Sequence, residues 1–159
     1  TATPLNGEDM WTRIARERVS GTDKVFTHDI FLSYSEGDSV EANGLREKIE
    51  AANLRCYMAE KSLAGNEGKP FSDLIREAII NAREMVILCT PEAVKSEWVT
   101  TEWGAAWVLE KLTTPVLLHM SGNGLPLRLQ GLQRVDYHDF DKFVIGALNR
   151  KREALRRPR

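Results

Sequence analysis

Two short apolar stretches decide the fold: residues 29–35 (DIFLSYS) and residues 85–90 (MVILCT). Each is too short for a stable helix and carries apolar side chains at successive positions, which is typical of a strand buried on both faces. Strands that are covered on both faces belong to parallel sheets, because the crossover connections of such sheets place helices over them. The sequence therefore predicts an α/β domain with these two strands near its centre.

Helix and strand patterns alternate along the rest of the chain. A helix is predicted over residues 38–53, where Asp38 and Glu41 have the spacing of a capping box. Residues 121–133 are rich in glycine and predict an irregular crossover with at most one helical turn. The further strands are predicted at residues 54–58, 115–119 and 134–137, and the further helices at residues 70–82, at residues 92–112 and from Phe140 toward the C-terminus.

Five parallel strands connected in this way most commonly adopt the order 2-1-3-4-5. Ligands of such sheets bind beyond the carboxyl ends of strands 1 and 3, where the strand order reverses. Those ends are Ser33-Tyr34-Ser35 and Thr90-Pro91 in this sequence. The topology therefore predicts a binding crevice between these two short segments.

The helix that follows strand 3 contains an unusual aromatic pattern, SEWVTTEWGAAW, at residues 96–107. At about 100° per residue, Trp98 and Glu102 lie one turn apart, while Trp103 and Trp107 form a second pair about 140° away. An indole beside a carboxylate can stack on an electron-poor ring while the carboxylate holds the attached cation, which fits a nicotinamide ribose. The structural alternatives are a solvated glutamate and a packing indole, and core or subunit-contact roles are expected for Trp103 and Trp107.

Composition describes an ordinary globular chain of 159 residues, 42% hydrophobic and 28% charged, which is the size of one domain. No apolar run approaches the roughly 18 residues of a membrane span, and no secretory signal is visible. Cys56 and Cys89 lack a CxxC spacing or a histidine partner, which favours free thiols in a reducing, cytoplasmic compartment. The three histidines lack partners at ligand spacing, so no metal site is predicted.

Charge is unevenly distributed along the chain. The net charge is −1, but six basic residues against Glu153 make the chain after residue 149 strongly positive, which leaves the preceding body acidic. An acidic body argues against nucleic acid as the primary ligand. The expected organisation is a linker with a short amphipathic helix over residues 1–27, a domain over residues 28–150 and a basic tail over residues 151–159.

Three features together resemble the Toll/interleukin-1 receptor (TIR) domain family over residues 28–148. They are HDIFLSYSEGD at residues 28–38, the glycine-containing loop after the second strand, and SxWxxxE at residues 96–102. The resemblance implies a flavodoxin-like three-layer sandwich, in which a five-stranded parallel sheet of order 2-1-3-4-5 has helices on both faces. It also implies cleavage of NAD at the nicotinamide–ribose bond, with Glu102 as the catalytic residue and NAD as substrate rather than cofactor.

One carboxylate is enough for this chemistry. Glycosidases pair two carboxylates, because one of them must protonate a poor leaving group. Nicotinamide leaves NAD as a neutral molecule, so only the oxocarbenium-like ribose requires stabilisation, which Glu102 would supply. Further substrate contacts are expected from a set of nearby residues: Trp98 by stacking, Lys61 at the diphosphate, and hydroxyl or main-chain groups of Ser33, Tyr34, Ser35 and Ser96.

The resemblance implies self-association as well. Enzymatic members of the family complete the site with the second-strand loop of a neighbouring subunit, which points here to Leu63, Gly65, Asn66 and Glu67. The first hypothesis is therefore an NAD+ nucleosidase that is activated by self-association, gives nicotinamide and ADP-ribose or a cyclic product, and acts in immunity or antiviral defence. The alternative is a non-enzymatic module that assembles with other TIR domains. A receiver-type phosphoacceptor would require an aspartate where Thr90 stands.

Overall fold

The computed structural model describes residues 26–58, 71–95 and 110–156. In these ranges the strands are β1 (His28–Ser33), β2 (Cys56–Met58), β3 (Ala82–Cys89), β4 (Leu112–Leu117) and β5 (Val135–Asp136). The α-helices are α1 (Ser39–Ala51), α2 (Phe71–Ile80), α3 (Leu127–Gln130) and α4 (Phe140–Arg156). Short 3-10 helices lie at Glu36–Asp38, Ala93–Lys95, Gly122–Gly124 and Tyr137–Asp139. The amphipathic helix predicted within residues 1–27 lies outside the described residues.

The five strands form one parallel sheet in the order β2-β1-β3-β4-β5. Phe31 in β1 is aligned with Tyr57 in β2 on one side and with Met85 in β3 on the other. The predicted strand order is therefore confirmed. The carboxyl ends of β1 and β3 are neighbours at the point where the order reverses.

Alternate side chains of β1 enter two separate cores, one on each face of the sheet. Ile30 and Leu32 pack in a cluster under α1 and α4, whereas Phe31 packs in a cluster under α2 and α3. All three side chains are essentially fully buried, and each contributes about 1.5–3 kcal/mol relative to an exposed side chain. This burial on both faces explains why β1 and β3 are continuous apolar stretches and confirms the three-layer arrangement.

The third predicted helix and the fourth strand have different bounds from those expected. Glu110 adopts a left-handed φ of 53°, and β4 begins at Leu112, so no helix runs to residue 112 and the strand starts before Pro115. The N–H of Leu118 points toward β3, where it donates to Cys89 O at 3.0 Å. The backbone nitrogen of a residue an odd number of positions from Leu118 points to the opposite side of the strand. The nitrogen of Pro115 therefore faces away from β3, on the side where β5 pairs only from Val116 onward, so the strand tolerates a proline.

Gly44 in α1 permits a close contact with the segment that follows β5. A Cβ at this position would lie 3.0 Å from the hydroxyl oxygen of Tyr137, which donates to Glu41 O at 3.4 Å. The cost of glycine in a helix is accepted here because a larger residue would push Tyr137 away.

The residue that precedes β1 and the C-terminal part of α4 both lie at the amino ends of the strands. The ring of Phe26, just before β1, makes two cation–π contacts, with its centre 5.0 Å from the guanidinium of Arg83 and 4.7 Å from the ammonium of Lys111. At the same end of the sheet, Arg150 and Lys151 of α4 contact carboxylates of β3 and β1. The helix continues to Arg156, so most of the predicted basic tail is helical.

Within the described ranges, no helix combines the length and the apolar character that crossing a membrane requires.

Candidate functional site

The carboxyl ends of β1 and β3 are joined by the side chain of Asp38. Its Oδ2 accepts a hydrogen bond from Ser35 Oγ at 2.8 Å and a second from Thr90 Oγ1 at 2.5 Å. The main-chain N–H of Asp38 also donates to Ser35 O at 2.9 Å. Hydrogen bonds to a carboxylate are short and strong, so Asp38 binds two strand ends that are distant in sequence.

The predicted capping box of α1 is therefore wrong. Asp38 occupies the N-cap position of α1, but its side chain makes no capping hydrogen bond. The reason is that its carboxylate is engaged by Ser35 and Thr90, the second of which lies 52 positions along the chain. Local spacing alone cannot reveal a competing partner of this kind.

Thr90 continues the network into the segment that follows β3. Its Oγ1 accepts a hydrogen bond from Ala93 N at 3.0 Å, and its carbonyl accepts one from Val94 N at 3.1 Å. The hydroxyl thus donates to Asp38 and accepts from the first residue of the 3-10 helix Ala93–Lys95. The start of this segment is held in position relative to the end of β1.

Three predicted substrate-contacting residues lie in the described part of this site. Ser33 is fully buried, and Tyr34 packs in the core cluster under α1. Ser35 is also buried, and its hydroxyl donates to Asp38. The structure therefore brings Ser35 together with Asp38 and Thr90, and the contact of all three predicted residues with substrate stays a prediction.

The remaining predicted site residues lie outside the described residues. They are the catalytic Glu102, the substrate-binding Trp98, Ser96 and Lys61, the oligomer-loop residues Leu63, Gly65, Asn66 and Glu67, and also Trp103 and Trp107.

A cavity separate from this hydrogen-bond network lies on the α1 face of the sheet, beside edge strand β2. It has a volume of about 590 Å³ and is lined by Tyr34, Asn43, Arg46, Glu50, Cys56, Tyr57 and Met58. The polar side chains of α1 in this lining bond to one another, since Arg46 donates to Asn43 at 3.2 Å and to Glu50 at 3.0 Å.

The cysteines are free, and their thiols are poor nucleophiles. Burial raises the pKa of both Cys56 and Cys89 to about 12, so both thiols stay protonated at neutral pH. In residues 26–58, 71–95 and 110–156, no three histidine, cysteine or acidic side chains lie close enough to share a metal ion. The pKa of His28 is lowered by burial and by the nearby Arg55.

Two groups of interacting residues were not predicted from the sequence. The first is the Asp38–Thr90 pair, for which the sequence offers only polar residues in the segments that follow the two central strands. The second is the pair of buried carboxylates Asp29 and Glu84, which lie in β1 and β3 beside the apolar residues of these strands. An acid inside such a strand is a usable signal, because a buried carboxylate requires a cationic partner.

The sheet order and the helices on both faces define a flavodoxin-like α/β domain. The sequence model of the TIR domain matches residues 30–149, so the chain belongs to the TIR domain family. This match covers nearly all of the described fold and confirms the resemblance found in the sequence.

Solved structures of TIR domains have the same fold. The TIR domain of the Toll-related receptor TRR-2 from Hydra magnipapillata is 21% identical with a TM-score of 0.61, over 80% of this chain and 98% of that one. The TIR-STING receptor from C. gigas in complex with 2′,3′-cGAMP is 21% identical with a TM-score of 0.65, over 80% of this chain and 41% of that one. The chain therefore spans about two-fifths of that receptor.

The TIR domains of the activated Roq1 resistosome, which directly recognises the pathogen effector XopQ, are a third match. They are 22% identical with a TM-score of 0.53, over 82% of this chain and 78% of that one. At these identities the likeness establishes the fold. No curated protein sequence matches the chain significantly.

Proposed function

We propose that this TIR domain is an NAD+ nucleosidase that cleaves the nicotinamide–ribose bond. The observation that carries the proposal is the position of the SxWxxxE motif, which begins at Ser96, directly after the 3-10 helix Ala93–Lys95. This helix starts at the carboxyl end of β3, beside the end of β1, which is where flavodoxin-like sheets bind ligands. The family includes enzymes that cleave NAD as well as members without activity.

The proposed chemistry requires a single carboxylate. The glycosidic bond breaks with its electron pair moving to the pyridinium nitrogen, which releases neutral nicotinamide and leaves positive charge on the ribose. Glu102 stabilises this charge, and Trp98 holds the departing ring by stacking. Water attack then gives ADP-ribose and a proton, whereas attack by a nitrogen of the adenine gives a cyclic product.

The first test is nicotinamide release from NAD by the purified protein, followed by chromatography. We expect the Glu102→Gln variant to lose at least about 10²-fold in kcat, the scale seen when a transition-state charge loses a stabilising group. Glu92→Gln is the matched control, because Glu92 is an exposed acid on the same connection. Undiminished release by Glu102→Gln would disprove the assigned role.

We further propose that the active form is an oligomer in which one subunit supplies the second-strand loop to its neighbour. Activity per molecule is then expected to rise with protein concentration. Mixing Glu102→Gln with a loop variant, Leu63→Asp, should restore activity that neither has alone, because each mixed pair contains one intact composite site. Failure of the mixture, with each variant folded, would place the loop outside the site.

A role in immune defence through NAD depletion or a nucleotide signal is part of the proposal. It is supported by the similarity of the fold to solved structures that include a Toll-related receptor and a resistosome that recognises a pathogen effector. NAD is an intracellular metabolite, and a cytoplasmic location is proposed accordingly. Expression in cells should lower total NAD, and Glu102→Gln should abolish the decrease.

The second candidate is a non-enzymatic module that assembles with other TIR domains. The resistosome assembly of a structural neighbour favours it. The two functions separate in one experiment, in which the protein is joined to an oligomerising partner and supplied with NAD. Assembly without any release of nicotinamide would support the scaffold and reject the enzyme.

A further inference from the structure

We infer that Asp38 is a positioning residue for the proposed reaction, holding the end of β1 and the segment that follows β3 in the geometry that catalysis requires. The inference rests on the proposed NAD-cleaving function. Asp38 itself is half-buried, and it is not assigned a contact with substrate.

The first support is the direction of the hydrogen bonds. A threonine hydroxyl has one proton, and that of Thr90 is donated to Asp38 Oδ2. Its oxygen is then free to accept the N–H of Ala93, so the order of donation from Ala93 to Thr90 to Asp38 is fixed. Bonds aligned in such a chain strengthen one another, and the carboxylate at the end strengthens each of them.

The second support is the choice of partner. An aspartate at an N-cap position ordinarily accepts from its own helix, which stabilises that helix locally. Asp38 instead accepts from Ser35 and Thr90, which are both buried. The bond therefore spans two strand ends rather than serving α1.

The third support is location. The network lies at the carboxyl ends of neighbouring parallel strands, where ligands bind in this fold. Thr90 is also the anchor of the 3-10 helix Ala93–Lys95, after which the SxWxxxE motif begins in sequence. A displacement of about 1 Å in a catalytic group can cost about 10²-fold in rate, so a rigid anchor at this point affects turnover.

Kinetics of NAD cleavage provide the first measurement. We expect Asp38→Ala to lower kcat by about 10- to 100-fold while KM changes less than about threefold. Thr90→Val keeps the shape of the side chain without its hydroxyl and should behave alike, whereas Thr90→Ser should recover at least about half of the wild-type kcat. The double variant should be no slower than the slower single variant, because both changes break one chain of bonds.

Asp136→Ala is the matched control. Asp136 lies at the carboxyl end of β5 and accepts from His138 N at 2.9 Å, so it supports a 3-10 helix away from β1 and β3. Its kcat should equal that of the wild type. Equal losses in Asp136→Ala and Asp38→Ala, or equal activity in Thr90→Val and wild type, would overturn the inference.

Amide hydrogen exchange separates this inference from the proposed function. Asp38→Ala should speed exchange at the Ala93 amide at least about tenfold, while amides of β1 and β3 keep their protection. Unchanged exchange at Ala93 overturns the positioning role whether or not the protein cleaves NAD. A wild-type protein that is inactive in every oligomeric state rejects the proposed function and the catalytic part of this inference, even if the exchange result shows that Asp38 orders the segment.

Discussion

Asp29 is a buried charge surrounded by cations at the amino end of β1. Its side chain is 2% exposed, and its Oδ2 accepts from Arg55 N at 2.7 Å and from Lys151 Nζ at 3.0 Å. Arg83 Nε lies 3.4 Å from Oδ1, as an ion pair without a well-formed hydrogen bond. Burial acts to raise the pKa of Asp29, but the bond from Arg55 N and the contact with Lys151 outweigh it, so the pKa lies below 3.8.

Neutralising Asp29 should therefore destabilise the fold. We expect Asp29→Asn to lower the free energy of unfolding by about 3 kcal/mol at pH 7, because it leaves clustered cations without their carboxylate. Glu50→Gln is the control, since it breaks only a half-exposed pair with Arg46 and should cost about 0.3–0.5 kcal/mol. Urea denaturation measures both values.

The same charge predicts how stability depends on pH. Because folding lowers the pKa of Asp29, its contribution to stability is complete well above the ordinary pKa of 3.8 and is lost as the pH falls through the lower folded value. The stability difference between wild type and Asp29→Asn should thus shrink between about pH 5 and pH 2. A difference that is constant over this range would show that the carboxylate charge is not what stabilises the site.

Besides the contact of Lys151 with Asp29, helix α4 is joined to the sheet by a bidentate ion pair between Arg150 and Glu84. Arg150 Nε and Nη2 each donate to one carboxylate oxygen of Glu84 at 2.8 Å. The guanidinium lies 5.5 Å from the centre of the Phe143 ring. The hydrogen bond to Glu84 raises the pKa of Arg150. The pair holds the C-terminal half of α4, beyond its buried apolar residues, against β3.

Removing Arg150 should cost more than removing a neighbouring basic residue. Arg150→Ala leaves the buried Glu84 without its partner, and we expect a loss of about 2–3 kcal/mol in urea denaturation. Arg150→Lys should recover part of it, because an ammonium restores charge but not two parallel bonds. Arg152→Ala, at an exposed position of α4, should change stability by less than about 0.5 kcal/mol. Equal effects of the two alanine variants would contradict a special role of the pair.

The elements differ in how well the sequence predicted them. Strands β1 and β3 were predictable because burial on both faces demands continuous apolar residues. The start of β4 was misplaced because Pro115 looks like a strand boundary, while its neighbour β5 is too short to require an N–H there. The capping box at Asp38 failed because its partner, Thr90, comes from a distant strand.

At the scale of the whole molecule, the topology was predictable, and the location of the candidate site followed from it, whereas its side-chain contacts did not. The alternation of helices and strands predicts a parallel sheet, and the observed order, with its neighbouring ends of β1 and β3, is the most common one for five such strands. The side-chain network that fills this point was not predictable in this way, because it depends on contacts between residues far apart in sequence. The ion pairs of Asp29 and Glu84 were not predicted for the same reason, since Lys151 and Arg150 reach them from α4, and Asp29 also pairs with Arg55 and Arg83.

The positions of Phe26 and of the end of α4 have a practical consequence. Phe26 and the end of α4 lie at the amino ends of the strands, whereas Asp38 and Thr90 lie at the carboxyl ends. Attachment to a sensor chip near Phe26 or at the end of α4 therefore holds the protein by the end of the sheet opposite to Asp38 and Thr90. Surface plasmon resonance with the protein immobilised in this way can test the proposed binding of NAD.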